Sequence, residues 1–394
     1  VFARYRSVLL IPGSLRLFAT ALLARMPQGM SALAILLLVR SSTHSYALAG
    51  LATGGEALAS AVVGPTQGRL VDRFGRARVI APCALVQAAL FLALVLAAQA
   101  GLPGGMLVVI ACGVGAAQPA IAPSVRALLR IVITDLEVRE TAYALESVVQ
   151  ELIWITGPLL VAAVVAVSSP SGAVLVCAVV GVLGAALFVT SPASRGGRRN
   201  AARPRTAILR TIPELRAMLL PIGLMGVAIG ATEVGLPSLA LHAGSRASTG
   251  LLLATWSLGS MIGGLLYGAH AWNLALSERY RRLLAGAAAC GAPLLFAESI
   301  PAGLAGALLT GLAIAPVFSC QYAILGRAIP DGIETEAFTW VSAVLVTGLA
   351  AGSALGGALI GAVGMHAPFG LACAALAAAA VSTTRVRRVT RLAG

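Results

Sequence analysis

Gly64-Pro-Thr-Gln-Gly-Arg-Leu-Val-Asp-Arg-Phe-Gly-Arg-Ala-Arg78 is the stretch on which the reading of this chain turns. Apolar sequence of membrane-spanning length lies on both sides of it. A tight, charged turn between two such segments must sit in water at a membrane surface, because charges within lipid are expensive. Composition agrees. Of 394 residues, 59% are hydrophobic and only 11% charged, against about 25% charged in an average soluble domain. No soluble helical protein of this size could hide so much apolar surface. The apolar runs recur at about 20 residues, the length that crosses a bilayer. They lack the alternation of barrel strands, so they are helices, whose backbone polar groups are satisfied within the segment.

Twelve spans can be drawn. The first six cover residues 17–39, 46–68, 79–99, 106–131, 142–167 and 172–190; the second six cover 218–242, 250–271, 283–299, 303–329, 337–363 and 368–382. Between the sets lies 191–216, a polar linker carrying Arg195, Arg198, Arg199, Arg203, Arg205, Arg210 and Arg216. The expected division is an N-terminal six-helix bundle (1–190), a basic cytoplasmic linker (191–216) and a C-terminal six-helix bundle with a basic cytoplasmic tail (217–394). The first apolar run continues into a second span without an obvious small-residue cleavage site, so it reads as a true span and not a signal peptide.

Arginine placement sets the orientation. All 28 basic residues are arginine. With both termini cytoplasmic, 25 of them fall on the inner side, Arg40 and Arg246 fall outside, and Arg25 lies within the first span. The positive-inside rule therefore favours this orientation in a multi-pass cytoplasmic (inner) membrane protein. The net charge of +14 is then a topology signal with contacts to anionic lipid headgroups, not a nucleic-acid surface. The absence of lysine removes P-loop and Schiff-base chemistry. Six cysteines lie in apolar runs without CxxC spacing, and the four histidines form no ligand pair. They suggest neither disulfides nor a metal site, and no cofactor. No nucleophile–base constellation stands out, so an enzyme is not expected.

The pattern Gly68-x-x-x-Asp72-Arg73-x-Gly75-Arg76, between the second and third spans, resembles the loop between helices 2 and 3 of the major facilitator superfamily of secondary transporters. The resemblance implies an all-α integral membrane fold of twelve transmembrane helices in two pseudo-symmetric six-helix bundles, usually monomeric. Internal matches agree with it. At an offset of about 200, Gly50, Leu51, Leu58, Ser60, Gly64 and Gly68 meet Gly250, Leu251, Leu258, Ser260, Gly264 and Gly268. At about 193, Ala120-Ile121-Ala122-Pro123 meets Ala313-Ile314-Ala315-Pro316, and at about 195, Ala142, Ser147 and Gly157 meet Ala337, Ser342 and Gly352. Drug:proton antiporters of this superfamily carry a glycine-rich stretch ending in Gly-Pro in helix 5. Here Gly157-Pro158 stands, but Leu159, Leu160 and Val161 follow in place of small residues. Their helix 4 arginine, four residues before a glycine, is replaced by Val109 before Gly113. Their proton relay therefore does not carry over unchanged.

Charges inside spans are the candidate working groups, at about 2.5–3.5 kcal/mol each to insert at mid-helix. Arg25, Glu56, Glu146, Glu151 and Glu233 qualify. Counting the rise per residue from the expected span ends puts Arg25 level with Glu151, which is the expected pair, with Glu56 as an alternative partner. Glu146 is placed about one turn inside, near headgroup water. Glu233 has no basic residue at its depth. A carboxyl so placed favours its neutral form and can take and release a proton; the alternative is contact with a cationic solute. In the resembled family helices 1, 4, 7 and 10 line a central cavity. That implies cavity roles for Gln28, Gln118, Thr232, Gln321 and Tyr322, with Gln150, Trp256 and Trp340 on flanking helices.

The opening loop suggests a latch. Gly68 lets helix 2 approach helix 11, Asp72 accepts hydrogen bonds at the positive N-terminus of helix 11, and Arg73 and Arg76, on either side of Gly75, meet Glu334 or Glu336. The second-half counterpart, Gly268-Ala-His-Ala-Trp272, lacks the acid and arginines, so the latch is expected on one side only. The functional expectation is proton-coupled efflux of a small amphipathic solute by alternating access. The alternatives are proton-coupled uptake of a nutrient or metabolite, and a non-transporting sensor or scaffold.

Overall fold

The computed structural model describes residues 2–192, 208, 212–245 and 248–383, and among them every regular element is helical. Most of the expected linker, Arg246 and the arginines of the expected tail lie outside the described residues. In chain order the α-helices are α1 (Phe2–Leu9), α2 (Ser14–Thr43), α3 (Tyr46–Phe74), α4 (Arg76–Gln99), α5 (Gly104–Ala116), α6 (Ile121–Val132) and α7 (Leu136–Val167). Then come α8 (Pro170–Thr190), α9 (Pro213–His242), α10 (Ser248–Ala269), α11 (Leu276–Gly291), α12 (Ile300–Ala328), α13 (Glu334–Ala362) and α14 (Ala367–Ser382).

Local chemistry sets the boundaries. The Ser45 side chain accepts the Leu48 N–H ahead of α3, and Ser169 accepts the Gly172 N–H ahead of α8, whose first residue is Pro170. Both satisfy first-turn donors that have no intrahelical partner. Asp135 accepts the N–H groups of Glu137 and Val138 at 2.8 and 3.0 Å, so α7 starts six residues before the expected Ala142. Between α3 and α4 the turn needs φ +89° at Gly75, a conformation a side chain resists. The expected fourth span is not one helix. It breaks at Ala117–Ala120, because Pro119 has no N–H to donate and disfavours helix at Gln118.

Among the described residues ten helices, counting α5 and α6 as one broken span over Gly104–Val132, are long and apolar enough to cross a membrane. The other two expected spans are shorter. The ninth is α11 followed by a 3-10 turn (Ala292–Phe296), and the twelfth is the 16-residue α14. Leu51, Val62, Leu85, Leu159 and Leu355 face outward, exposed, which suits lipid contact. The chain is thus an all-α multi-pass membrane protein.

Helices α2 to α8 pack largely among themselves, α2 against α7 and α8 and α3 against α5; α9 to α14 do the same, α9 against α13 and α14 and α10 against α12. One close approach recurs in both sets. The backbone of Glu56 in α3 lies directly on Gly115 of α5, and the backbone of Trp256 in α10 lies directly on Gly311 of α12. Without a hydrophobic drive in lipid, such contacts rely on small residues. The sets meet through α3 on α13, α7 on α10 and α12, and α6 on α13. One apolar cluster runs through both, with Leu17, Tyr143, Ile222, Phe338 and Phe369 among its members, while a second, around Met30, Ile35, Phe91 and Leu107, stays within the first.

Candidate functional site

A buried ionic cluster sits where the two sets of helices meet. Arg25 of α2 donates from Nη1 to both carboxylate oxygens of Glu146 in α7, at 3.0 and 2.8 Å, and from Nη2 to Oε1 of Gln150. Arg126 of α6 donates from Nε to the same Glu146 at 3.2 Å and from Nη1 to Ser342 of α13 at 3.5 Å. Its guanidinium lies 4.1 Å from the centre of the Tyr322 ring of α12, within the range of cation–π attraction. The Arg25, Glu146 and Arg126 side chains are 1%, 0% and 5% exposed, so the cluster is out of water.

This corrects the expected Arg25–Glu151 pair and the Glu56 alternative. Because α7 begins at Leu136, Glu146 stands ten residues into its helix and Arg25 eleven into α2. At 1.5 Å per residue the two are level, and Glu151 lies about 7 Å further along. Glu146 is therefore no headgroup residue. Arg126, counted above on the inner side although it falls within the fourth expected span, is the residue sequence reading missed; its signal was a charge inside an apolar run, four residues before Arg130.

Glu151 accepts a hydrogen bond from Ser260 of α10 at 2.9 Å. Glu233 of α9 is exposed, and it lies close enough to Glu151 for the two charges to interact. Among the described residues it has no ion-pair partner. Two carboxyls, one from each set of helices, thus stand beyond the arginine cluster. Near them Ser319 of α12 donates to Ser147 of α7 at 3.2 Å.

Other expected cavity residues lie elsewhere. Thr232 and Trp256 line a small apolar pocket inside the second set, with Thr310 and Phe369. Gln321 accepts from Tyr280 of α11 at 3.3 Å, also inside that set. Glu56 is buried within the first set near Ser31 and Cys177. Gln28 on α2 and Gln118 at the α5–α6 break are partly buried and take no part in the cluster's hydrogen bonds, and Trp340 on α13 is partly buried with its indole N–H unpartnered. Of the expected residues, the structure joins Arg25, Gln150 and Tyr322 in one cluster and sets Glu151 and Glu233 beside it.

The two sets are also tied at the arginine-rich end. Asp72 accepts the Thr335 and Glu336 N–H groups at 3.1 and 2.8 Å, capping the start of α13. Gly68 lies against Thr339 and the backbone of Thr335 and Glu336, and a Cβ there would come within 2.8 Å of the Glu336 Cα. The arginine that meets Glu336 is Arg69, at 2.7 Å, not Arg73 or Arg76. Arg73 lies over the Phe74 ring, and Arg76 stands near Asp72 and Glu334 without a direct bond. Arg69 reaches Glu336 from the rim of this contact, with its own side chain 59% exposed.

Ties on the other side correct the expectation of a one-sided latch. Glu140 in α7 accepts from Arg279 and Arg327, both at 2.7 Å. Arg4 in α1 donates to Glu137 and to the His270 carbonyl, both at 3.0 Å. The Tyr5 hydroxyl lies 2.9 Å from the Leu265 carbonyl, to which it donates. The acids here are supplied by α7 and the arginines by α1 and the second set, so the 268–272 loop needs no charges of its own.

A family model described as Major Facilitator Superfamily matches residues 17–285. No curated protein matches the sequence. Among solved structures, the chain is similar to the human organic anion transporter MFSD10 (TETRAN), with TM-score 0.75 at 16% identity over 93% of this chain and 99% of that one. It is also similar to a bacterial homologue of the iron transporter ferroportin in its outward-facing state, with TM-score 0.77 at 14% identity over 95% and 98%. The Escherichia coli fucose:proton symporter gives TM-score 0.73 at 13% identity over 96% and 98%. At such identities the likeness is one of fold.

Proposed function

The chain belongs to the Major Facilitator Superfamily, a family of membrane transporters and not of enzymes, and from that premise we propose that it exports a small amphipathic solute in exchange for protons by alternating access. Twelve crossings are proposed, with α11 and α14 as the short ones, forming two six-helix bundles in the cytoplasmic membrane with both termini inside. The protein works as a monomer. The arginine-rich end is then cytoplasmic, and the described ties close it. The three similar structures are named for an organic anion, iron and fucose, which differ in chemistry, so the fold does not choose among solutes.

One observation carries the proposal. Glu151 and Glu233, one from each bundle, lie within electrostatic range of each other, beside a buried cluster that also bridges the bundles. Rocking the bundles changes the separation of the two carboxyls, and with it their repulsion and their hold on a proton. A proton taken up in one state and released in the other couples the gradient to the motion. Lipid-facing leucines and glycine contacts between helices let the bundles move as units.

Pyranine sealed inside inverted membrane vesicles tests this. Amphipathic metabolites and antibiotics are added outside, one at a time. Exchange drives solute in and protons out, so the lumen turns alkaline; uptake by symport turns it acid. Glu233→Gln should abolish the lumenal pH response and retain solute-induced thermal stabilisation of the purified protein. Solute flux with no pH response in the unmodified protein would exclude proton coupling.

A further inference from the structure

The Arg25–Glu146–Arg126 cluster does not balance its own charge. Two guanidinium groups share one carboxylate. Among the described residues no second carboxylate forms a salt bridge with either arginine, and Glu151 is engaged by Ser260 instead. Each arginine is at most 4% exposed. A buried ion pair is tolerated when its charges are matched and its hydrogen bonds filled; an excess cation in an apolar span is retained for a function.

The unfilled hydrogen-bonding positions point the same way. Nε of Arg25 and Nε2 of Gln150 are buried without a partner. Both are donors, and both belong to side chains already committed to the cluster. Buried donors without acceptors are costly, and a native site has a reason for them. Beside them, Tyr322 presents its ring to Arg126 and stacks on Phe318 with 6.0 Å between centroids. One excess positive charge, two free donors and an aromatic wall form a receptor for an oxyanion carried on an apolar or aromatic body.

We infer that the solute carries a carboxylate or phosphate group, and that Arg126, with Gln150 and Arg25 beside it, receives that group. The inference rests on the reading of this interface as the solute site, and it names the class of solute. Guanidinium suits either oxyanion because its fixed N–H groups match their paired oxygens. Glu151 is held by Ser260 and forms no salt bridge with either arginine, and with Glu233 it keeps the proton role proposed above.

Four probes with the same ring and different heads decide it: benzoate, phenyl phosphate, benzylamine and benzyl alcohol. Each is added to the purified detergent-solubilised protein, and thermal unfolding is followed. A ligand that binds the folded state raises the transition. Benzoate or phenyl phosphate should raise it by several degrees, and benzylamine and benzyl alcohol should not. Arg126→Gln leaves the Arg25–Glu146 pair matched, so its unliganded transition should persist while the response to both anions disappears. Stabilisation by benzylamine or benzyl alcohol equal to that by the anions overturns the inference. So does a lack of response to both anions, or an anion response that survives in Arg126→Gln. If Arg126→Gln does not fold, the comparison of heads on the unmodified protein decides alone. Binding is read here without flux, so this inference and the proposed proton exchange fail separately.

Discussion

Arg130 and Arg327 close the same end of the molecule by the same crosswise bond. Arg130, in the last turn of α6, reaches Asp331 at 2.9 Å and Glu334 at 3.5 Å where α13 begins. Arg327, in the last turn of α12, reaches Glu140 at 2.7 Å near the start of α7. Each bond leaves the C-terminal end of one helix, where a cation suits the helix dipole, and ends on an acid of the other set. The two ties are related by the internal repeat, although the loops beside them have lost most of their resemblance.

The groups in these ties differ in exposure, and so should their worth. Asp331 and Arg327 are 84% and 44% exposed, whereas Arg279 is 3% exposed. Exposed pairs contribute about 0.2–1 kcal/mol. Arg327→Met should therefore lower the thermal transition slightly. Arg279→Met leaves Glu140 without its buried partner and should lower it several times more. A double-mutant cycle with Glu140→Gln separates the two couplings.

Asp72→Asn should open the arginine-rich end. Asparagine keeps one acceptor for the start of α13 but loses the charge and the second bond. Hydrogen bonds to charged groups contribute about 1.5–3 kcal/mol, so the closed state should lose at least about tenfold in population. A cysteine replacing Ser147, which is 2% exposed between the sets, reports this in a cysteine-free background. Thiol labelling from the arginine-rich side should accelerate by that factor; an unchanged rate removes Asp72 from the latch.

Gly68→Ala should act on the same equilibrium by shape. Its Cβ would meet backbone, Glu336 Cα at 2.8 Å and Thr335 O at 2.9 Å, which cannot turn aside as a flexible side chain can. Overpacking of this kind costs about 1–3 kcal/mol, charged here to the closed state. Gly50→Ala on the same helix meets nothing within 4 Å and should leave labelling unchanged.

Glu146→Gln should be the most damaging single change in the cluster. It leaves two buried arginines without a counter-charge, and breaking a buried pair by removing one partner costs about 3–5 kcal/mol. The purified yield and thermal transition should collapse. Glu151→Gln, which keeps a hydrogen-bonding partner for Ser260, should leave both near their starting values. Equal stability of the two variants would show that the Arg25–Glu146–Arg126 cluster does not hold the helices.

Tyr5→Phe should weaken the tie between α1 and α10. The hydroxyl bonds to the Leu265 carbonyl, and a neutral bond contributes about 0.5–1.5 kcal/mol. Burial pushes the Tyr5 hydroxyl up from 10.0 to about 12, so it remains a donor throughout the neutral range. The folded form holds this proton more tightly than the unfolded chain, so its contribution is constant below pH 10 and falls as pH rises toward 12. The difference in transition between Tyr5→Phe and the unmodified protein should accordingly be flat from pH 6 to 9, the range in which the transition is measured.

Composition and the length of the apolar runs were enough to establish a helical membrane protein, because lipid leaves the backbone no other solution for such segments. The Gly68-to-Arg76 pattern was enough to suggest the family. Asp72 was legible as a cap for α13, since a single acid in a tight inter-span loop has few other uses. The partners of buried charges were not legible. Arg25 meets Glu146 and not Glu151 because Asp135 starts α7 six residues early, which shifts the register of that helix by about 9 Å. Arg126 falls toward the end of the fourth expected span, where it counted only as a topology charge, and the packing of α13 over α6 makes it a core charge. Which acid a given arginine reaches depends on helix starts, breaks and crossings set by contacts between segments far apart in sequence, and those are decided by the tertiary structure alone.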